Sequence, residues 1–322
     1  MKNITKISLA LLSGLLIAAS WPTHGFTALI FIAFVPLIFL QDNSQQSTVN
    51  SHRNNIFGLS FLTFLVWNSL TTWWVWNSTP AGSIAMILLN STFMAATFWL
   101  YHFTRTKVFH NKGGFFLLIL FFLAFEYLHL NWQLNWPWLN IGNVFSHNHS
   151  WVQWYEFTGT AGGTIWVLLA NILAYKTIIR QQDNKTTRQQ SLVTKSVEDK
   201  DKNLGTSTSS VTENPQLLNY SASQHLSISV PQILLFLAVV FIPIVVSKIM
   251  YHSYEEKGEE VEVVVIQPNI DPYTEEFTLG VPKILNRNFS VAEPLITEKT
   301  RFVVSPESSI HESIWLEKIN AY

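Results

Sequence analysis

"GSIAMILLNSTFMAATFWLY", residues 82–101, runs without a charged side chain and is long enough to cross a bilayer as a helix. A span needs about 20 predominantly apolar residues, because in hydrocarbon a helix satisfies its own backbone polar groups. Reading outward from this stretch, comparable apolar runs occupy residues 7–20, 26–40, 56–76, 113–130, 160–179 and 230–250. The first two are short, so they read as thin spans or as a hairpin dipping in from one face; in both cases the chain returns to its starting side. Residues 1–20 also fit a secretory signal peptide, with Lys2 and Lys6 ahead of an apolar run and small residues after it.

Composition agrees with a membrane protein. The 322-residue chain is 48% hydrophobic and 13% charged, where a soluble domain carries about 25% charged residues. A net charge of −1 supplies no basic field for nucleic acid, and none is expected as a partner. Cysteine is absent, which removes disulfides, thiolate metal sites and a cysteine nucleophile from this chain.

Orientation follows from Lys and Arg in short connections, which resist translocation. Lys2 and Lys6, Arg53, then Arg105, Lys107 and Lys112, and finally Lys176, Arg180, Lys185 and Arg188 fall in alternate connections; residues 21–25, 77–81 and 131–159 contain no Lys or Arg. The expectation is a cytoplasmic N terminus, seven crossings and an extracytoplasmic C-terminal segment. Four regions are expected: spans one to six in 1–180, a polar disordered cytoplasmic loop in 181–229, the seventh span in 230–250, and an outer segment in 251–322. The Trp- and Asn-rich stretch 131–157 reads as an aromatic belt at the outer interface, or as the wall of a lipid-sized groove.

In the outer segment, Val261–Ile266 is a β-branched run stopped by Gln267 and Pro268, and "RFVVS" (301–305) is a second strand ahead of Pro306 and Glu307. Between them Ile284, Leu285, Phe289, Ala292 and Leu295 recur at near-helical spacing. Strand, helix, strand implies a parallel pair with a crossover, and reactive groups in such sheets gather at the carboxyl ends of the strands. Glu307 sits at that end, although Pro-Glu-Ser after a strand is also an ordinary turn.

Five motifs in order carry a family resemblance: "WPTHGF" (21–26), "NWPWLNIGN" (135–143), "WVQWYEFTGTAGGTIWVLLAN" (151–171), "VVVIQPNIDPYTEEF" (263–277) and "FVVSPESSI" (302–310). Together they resemble apolipoprotein N-acyltransferase, a bacterial inner-membrane enzyme joining a polytopic membrane domain to a periplasmic nitrilase-like domain. The resemblance implies a polytopic α-helical membrane domain followed by the start of an α/β nitrilase-like αββα sandwich, truncated. It implies acyl transfer by a Glu, Lys and Cys triad. The sn-1 acyl chain of a phospholipid passes to the cysteine as a thioester, then to the amine of a lipoprotein's diacylglyceryl-cysteine. Glu307 falls on the Pro-Glu motif and takes the role of general base, removing the thiol proton. The partners implied are a phospholipid donor, a diacylglyceryl apolipoprotein acceptor and membrane lipid; no cofactor and no metal are expected.

The chain departs from that pattern in its chemistry. The family's lysine and cysteine lie downstream of the glutamate, beyond Tyr322, and Lys283, Lys299 and Lys318 read as surface charges. A truncated or partial sequence is the simplest account, and the polypeptide alone is not expected to form an acyl-enzyme. The alternative is a catalytically incomplete remnant or a lipid-binding membrane scaffold; a transporter is disfavoured because no inverted repeat is visible.

Other polar residues read as structural. Glu126, near the outer end of span five with His129 on its face, suits an ion pair or helix packing more than a lipid headgroup. His147 and His149 have spacing a metal could use but lack further ligands nearby. Asn68, Ser69, Thr71 and Thr72 are expected to hydrogen-bond between helices, Gly159, Gly162 and Gly163 to allow close helix approach, and Glu156 carries a weak substrate-contact reading.

Overall fold

The computed structural model describes residues 3–22, 25–43, 55–110, 113–178, 230–271, 274–275 and 278–306. Residues 181–229, expected as a polar loop, lie outside the described residues, as do Glu307 and Lys318. The chain forms two compact units, Met1–Tyr254 and Glu255–Tyr322.

The first unit is helical: α1 (Asn3–Ser20), α2 (Ile30–Ala33), α3 (Val35–Asn43), α4 (Ile56–Thr72), α5 (Pro80–Lys107), α6 (Phe116–Leu130), α7 (Tyr155–Ile178) and α8 (Val230–Ser253). Among the described residues, five helices are long and apolar enough to cross a membrane, and Thr27–Asn43 and Phe116–Leu130 are shorter apolar segments. The chain is therefore a multi-pass membrane protein. Local chemistry sets several boundaries. Asn55 caps α4 by accepting from the Gly58 N–H at 2.9 Å. Thr79 caps α5, with Pro80 in its first turn, where a missing N–H costs nothing. Arg105 and Lys107 close the last turn of α5, opposite the negative end of its dipole.

Spans meet through small and polar residues, since lipid gives apolar helices little reason to associate. A Cβ at Gly14 would lie 2.5 Å from the Thr63 carbonyl oxygen, so α1 and α4 touch backbone to side. Thr63 Oγ1 donates to the Ala10 carbonyl at 2.9 Å, and Asn90 Nδ2 donates to Asn68 Oδ1 at 2.7 Å across α4 and α5. Of Asn68, Thr71 and Thr72, which were expected to bond between helices, Asn68 does so. Thr71 and Thr72 instead bond back to the carbonyls of Trp67 and Asn68, four residues earlier on their own helix. An aromatic core of Phe34, Phe64, Trp67 and Phe122 fills the centre, with Phe34 and Phe122 ring centroids 6.2 Å apart.

Residues 27–43, expected as a thin span or as part of a hairpin dipping in from one face, run from one end of the bundle to the other: Thr27 Oγ1 donates to Asn148 Oδ1 at one end, and Asp42 pairs with Arg105 at the other. They do so in pieces, broken between α2 and α3 at Phe34, just ahead of Pro36. The Phe34 N–H, which a continuous helix would direct at the Ile30 carbonyl, donates to Asn171 Oδ1 at 2.8 Å. Asn171 Nδ2 donates to that Ile30 carbonyl at 2.7 Å. A single amide from α7 is thus spliced into the ladder, and Ser13 Oγ covers the Ala33 carbonyl at 2.6 Å.

Where α3, α5 and α7 end together, the buried Arg105 guanidinium donates to Asp42 Oδ1 and Gln41 Oε1, each at 2.7 Å, and to the Gly113 carbonyl at 2.9 Å. Tyr175 OH donates to the other Asp42 oxygen, and the Phe115 ring lies 4.0 Å beneath the guanidinium. The opposite end carries Trp73, Trp74, Trp76 and Trp138, all exposed, as an interfacial belt would be.

The second unit holds β1 (Glu262–Val265), α9 (Val281–Ala292) and β2 (Thr300–Val304), with β1 and β2 parallel and Val265 opposite Val304. Val264, Ile266 and Ala292 form its core. The buried stripe of α9 is Val281, Ile284, Asn288 and Ala292, while Phe289 is 64% and Leu295 56% exposed. The helix expected between the strands from the spacing of Ile284, Leu285, Phe289 and Ala292 is present as α9, with Phe289 about 100° around it from Asn288 and facing outward. The hydroxyls of Thr297 and Thr300 donate to the Glu262 carboxylate and hold it below the ordinary glutamate range.

Candidate functional site

Two places gather polar groups in a way that could serve chemistry. One is the carboxyl edge of the strand pair. The ladder continues past β1, because Ile266 N–H donates to the Val304 carbonyl at 3.0 Å, so Gln267 and Ser305 leave the sheet side by side. Asn269 then turns the chain with φ +51°, a left-handed conformation that asparagine tolerates, and its carbonyl accepts from Arg287 at 3.2 Å. Pro306 is the last described residue on the other strand. Glu307 follows it directly in sequence but lies outside the described residues.

The other place is Glu126, buried in the bundle. Its Oε1 accepts from the Ile141 N–H and its Oε2 from Thr164 Oγ1, each at 2.7 Å. Thr164 Oγ1 in turn accepts from the Gly142 N–H at 3.1 Å, and Tyr155 OH donates to the Gly142 carbonyl at 2.8 Å. The carboxyl group thus ties α6, the 141–142 turn and α7 together. Of the two roles expected for it, helix packing is the one found, whereas the ion pair is not: His129 Nδ1 accepts from Trp132 Nε1 at 3.0 Å, with its ring stacked on Phe125. With donors on both oxygens, Glu126 acts as a brace. Glu126→Leu is expected to lower unfolding stability by about 2–4 kcal/mol, because the Ile141 N–H and the Thr164 hydroxyl lose their acceptor. Glu126→Gln keeps one acceptor and should cost about 1 kcal/mol; thermal unfolding of the two purified variants side by side checks the order.

The turn fits against α7 because both surfaces are glycine. A Cβ at Gly142 would lie 2.0 Å from the Thr160 carbonyl oxygen, and one at Gly163 would lie 2.9 Å from Gly142 Cα. Close approach was the reading for Gly163, and its partner is Gly142, which the motif contained without marking. Gly159 differs: it has φ +62° and open space around its Cβ position, so its role is conformational. Gly142→Ala is expected to cost about 1–3 kcal/mol or more, since a backbone carbonyl cannot step aside as a side chain does. Equal melting temperatures for Gly142→Ala and the unaltered protein would refute the contact.

The remaining candidates stay apart. His147, His149 and Glu156 are exposed, His149 resting 5.5 Å from the Tyr251 ring. Among the described residues no group of three or more His, Cys, Asp or Glu could hold a metal ion. Lys283 and Lys299 are exposed, as surface charges would be. Sequence reading missed Asn171 and the Arg105–Asp42 pair. The available signal was a lone amide in an apolar span and an acid at the end of another.

Comparison with known proteins adds three findings. A family model described as the apolipoprotein N-acyltransferase N-terminal domain matches residues 13–173. A protein named apolipoprotein N-acyltransferase from Chlorobaculum tepidum is 22% identical over 324 residues, taking in 98% of this chain and 51% of the relative, so the chain spans about half the length of that protein. No solved structure matches the chain significantly.

Proposed function

The chain belongs to the apolipoprotein N-acyltransferase family, and from that premise we propose that it takes part in moving an acyl chain from a phospholipid to the N-terminal cysteine of diacylglyceryl apolipoproteins. In this reading it resides in a bacterial inner membrane with its N terminus in the cytoplasm. The second unit is the periplasmic opening of a nitrilase-like domain. Glu307 is the general base: it takes the proton of a thiol, the thiolate attacks the sn-1 ester carbonyl, and a lysophospholipid leaves as the thioester forms. The acceptor amine then displaces the thiol. Neither the thiol nor a matching lysine occurs at a corresponding position in this chain, so Glu307 is the one triad role assigned to it.

The observation that carries this reading is the parallel β1–β2 pair joined through α9, with both strands ending at one edge; in the sequence Glu307 comes three residues after β2. In open parallel sheets that edge is where reactive groups collect. The distribution of basic residues supports the orientation, since Arg105, Lys107 and Lys176 share the end of the bundle opposite the exposed tryptophans. A scaffold that only binds lipid draws on those same tryptophans. Complementation of an acyltransferase-depleted strain with the full reading frame separates the two: the native frame should restore growth and Glu307→Gln should not. Equal growth from both would remove the general base and leave the scaffold.

A further inference from the structure

α8 carries a proline in its interior, Pro243, whose ring has no N–H to offer the carbonyl four residues earlier. That carbonyl belongs to Val239. In a soluble helix water would satisfy it, whereas in a span the donor has to come from the protein. It comes from α7: Trp166 Nε1 donates to the Val239 carbonyl at 2.7 Å. The gap is turned toward its donor, because the buried residues of α8 among those described are Val240 and Ser247, two turns apart, with Pro243 between them on the same side. Ser247 makes a second polar contact, its Oγ accepting from the Gln153 N–H just ahead of α7.

Trp166 is buried, and its ring is held by neighbours outside α8. It stacks on Phe145 with centroids 4.8 Å apart, and meets Phe31 of α2 at 4.7 Å and Trp154 at 5.5 Å. The indole N–H is therefore aimed by packing in which α8 takes no part. α7 thus serves both proline-broken segments. Asn171 fills the break beside Pro36, and Trp166, five residues earlier and about 140° around the same helix, fills the one at Pro243.

We propose that the Trp166 N–H is a pin that docks α8 on the bundle: Pro243 leaves α8 short of one donor, and Trp166 supplies it. The device sets register as well as attachment. Sliding α8 by one residue along α7 would move the Val239 carbonyl by about 1.5 Å and turn it by about 100°, so the bond breaks rather than stretches. Apolar contacts discriminate far less, because lipid replaces them at little cost. α8 is the last helix before the second unit in sequence, so the pin fixes where the chain leaves the bundle.

The 322-residue chain has no cysteine, so Ser247→Cys gives it a single reporter, read in uncharged detergent. Ser247 is fully buried; a water-soluble maleimide reaches the site when α8 lifts off, and the labelling rate tracks the undocked fraction. Trp166→Phe keeps a ring for Phe145 but removes the N–H, and should raise that rate by about tenfold, the scale of one lost hydrogen bond. In a Pro243→Ala background the helix supplies its own N–H to Val239, and Trp166→Phe should then change the rate by less than about threefold. A Ser60→Cys reporter, fully buried in α4, should label at one rate with or without Trp166→Phe, which separates undocking from general loosening. A Ser247→Cys rate indifferent to Trp166→Phe, an equal effect in the two Pro243 backgrounds, or equal acceleration at both reporters would overturn the pin. Since labelling is read rather than transfer, failure here leaves the Glu307 test standing, and the reverse holds too.

Discussion

Glu307→Gln is expected to lower acyl transfer by about 10²–10⁴-fold, the usual effect of removing a positioned general base. Glutamine keeps the size and the hydrogen-bonding reach of the side chain but cannot accept the thiol proton. The loss should therefore appear in the rate of thioester formation and spare lipid binding. The measurement uses protein made from the full reading frame, a phospholipid labelled in its sn-1 chain and a diacylglyceryl lipopeptide, with the thioester trapped before the acceptor is added. Glu307→Asp retains the charge on a shorter arm and should fall between the two. A Glu307→Gln rate within about threefold of the native one would exclude proton removal by this residue, because even weak general bases contribute more than that.

Asn171→Leu is expected to destabilise the membrane unit by about 2–6 kcal/mol. Leucine is of similar volume and suits the span, so the loss comes from two backbone groups. The Phe34 N–H and the Ile30 carbonyl both lose their partner, at about 1–3 kcal/mol for each unsatisfied buried group. Against a total of about 5–15 kcal/mol for an ordinary domain, that is enough to make the fold marginal. The break that Asn171 repairs stands beside Pro36, so Pro36→Ala should let the ladder close without outside help. The cost of Asn171→Leu should then shrink in the Pro36→Ala background, a coupling that a double-mutant cycle on thermal unfolding reads directly. Equal costs in the two backgrounds would mean that the amide and the break are unconnected.

The spans were legible because apolar length is a local property, and residues 82–101 and 230–250 announce themselves without reference to the rest of the chain. Partnership is not local. Pro36 was visible, yet the amide that makes its kink tolerable lies on another helix, and Asp42 and Arg105 are 63 residues apart. For Glu126 an ion pair or a packing role was open, and which of them holds is decided by donors from Ile141 and Thr164, brought close by the tertiary packing of two other segments. In the second unit the β-branched run named both strands. The helical spacing around Ile284 and Phe289 named the helix between the strands, although it did not say which of its apolar residues would be buried: Ile284 is, and Phe289 is exposed. The proposed role of Glu307 rests on the order of motifs and on its place in the sequence after a strand, two signals that are local to the sequence.

The amide splice also sets a clock for biogenesis. Phe34 and Asn171 are separated by 137 residues of chain, and a ribosome adding about 5–20 residues per second takes about 7–27 s to cover that distance. Until Asn171 has been made, the Phe34 N–H and the Ile30 carbonyl lack the side chain that bridges them in the folded protein. Each group would cost about 1–3 kcal/mol if buried without a partner, so burial of residues 27–43 is expected to be completed only when α7 is in place. The order of synthesis, as much as the finished packing, therefore dictates when the front half of this protein can commit to the bilayer.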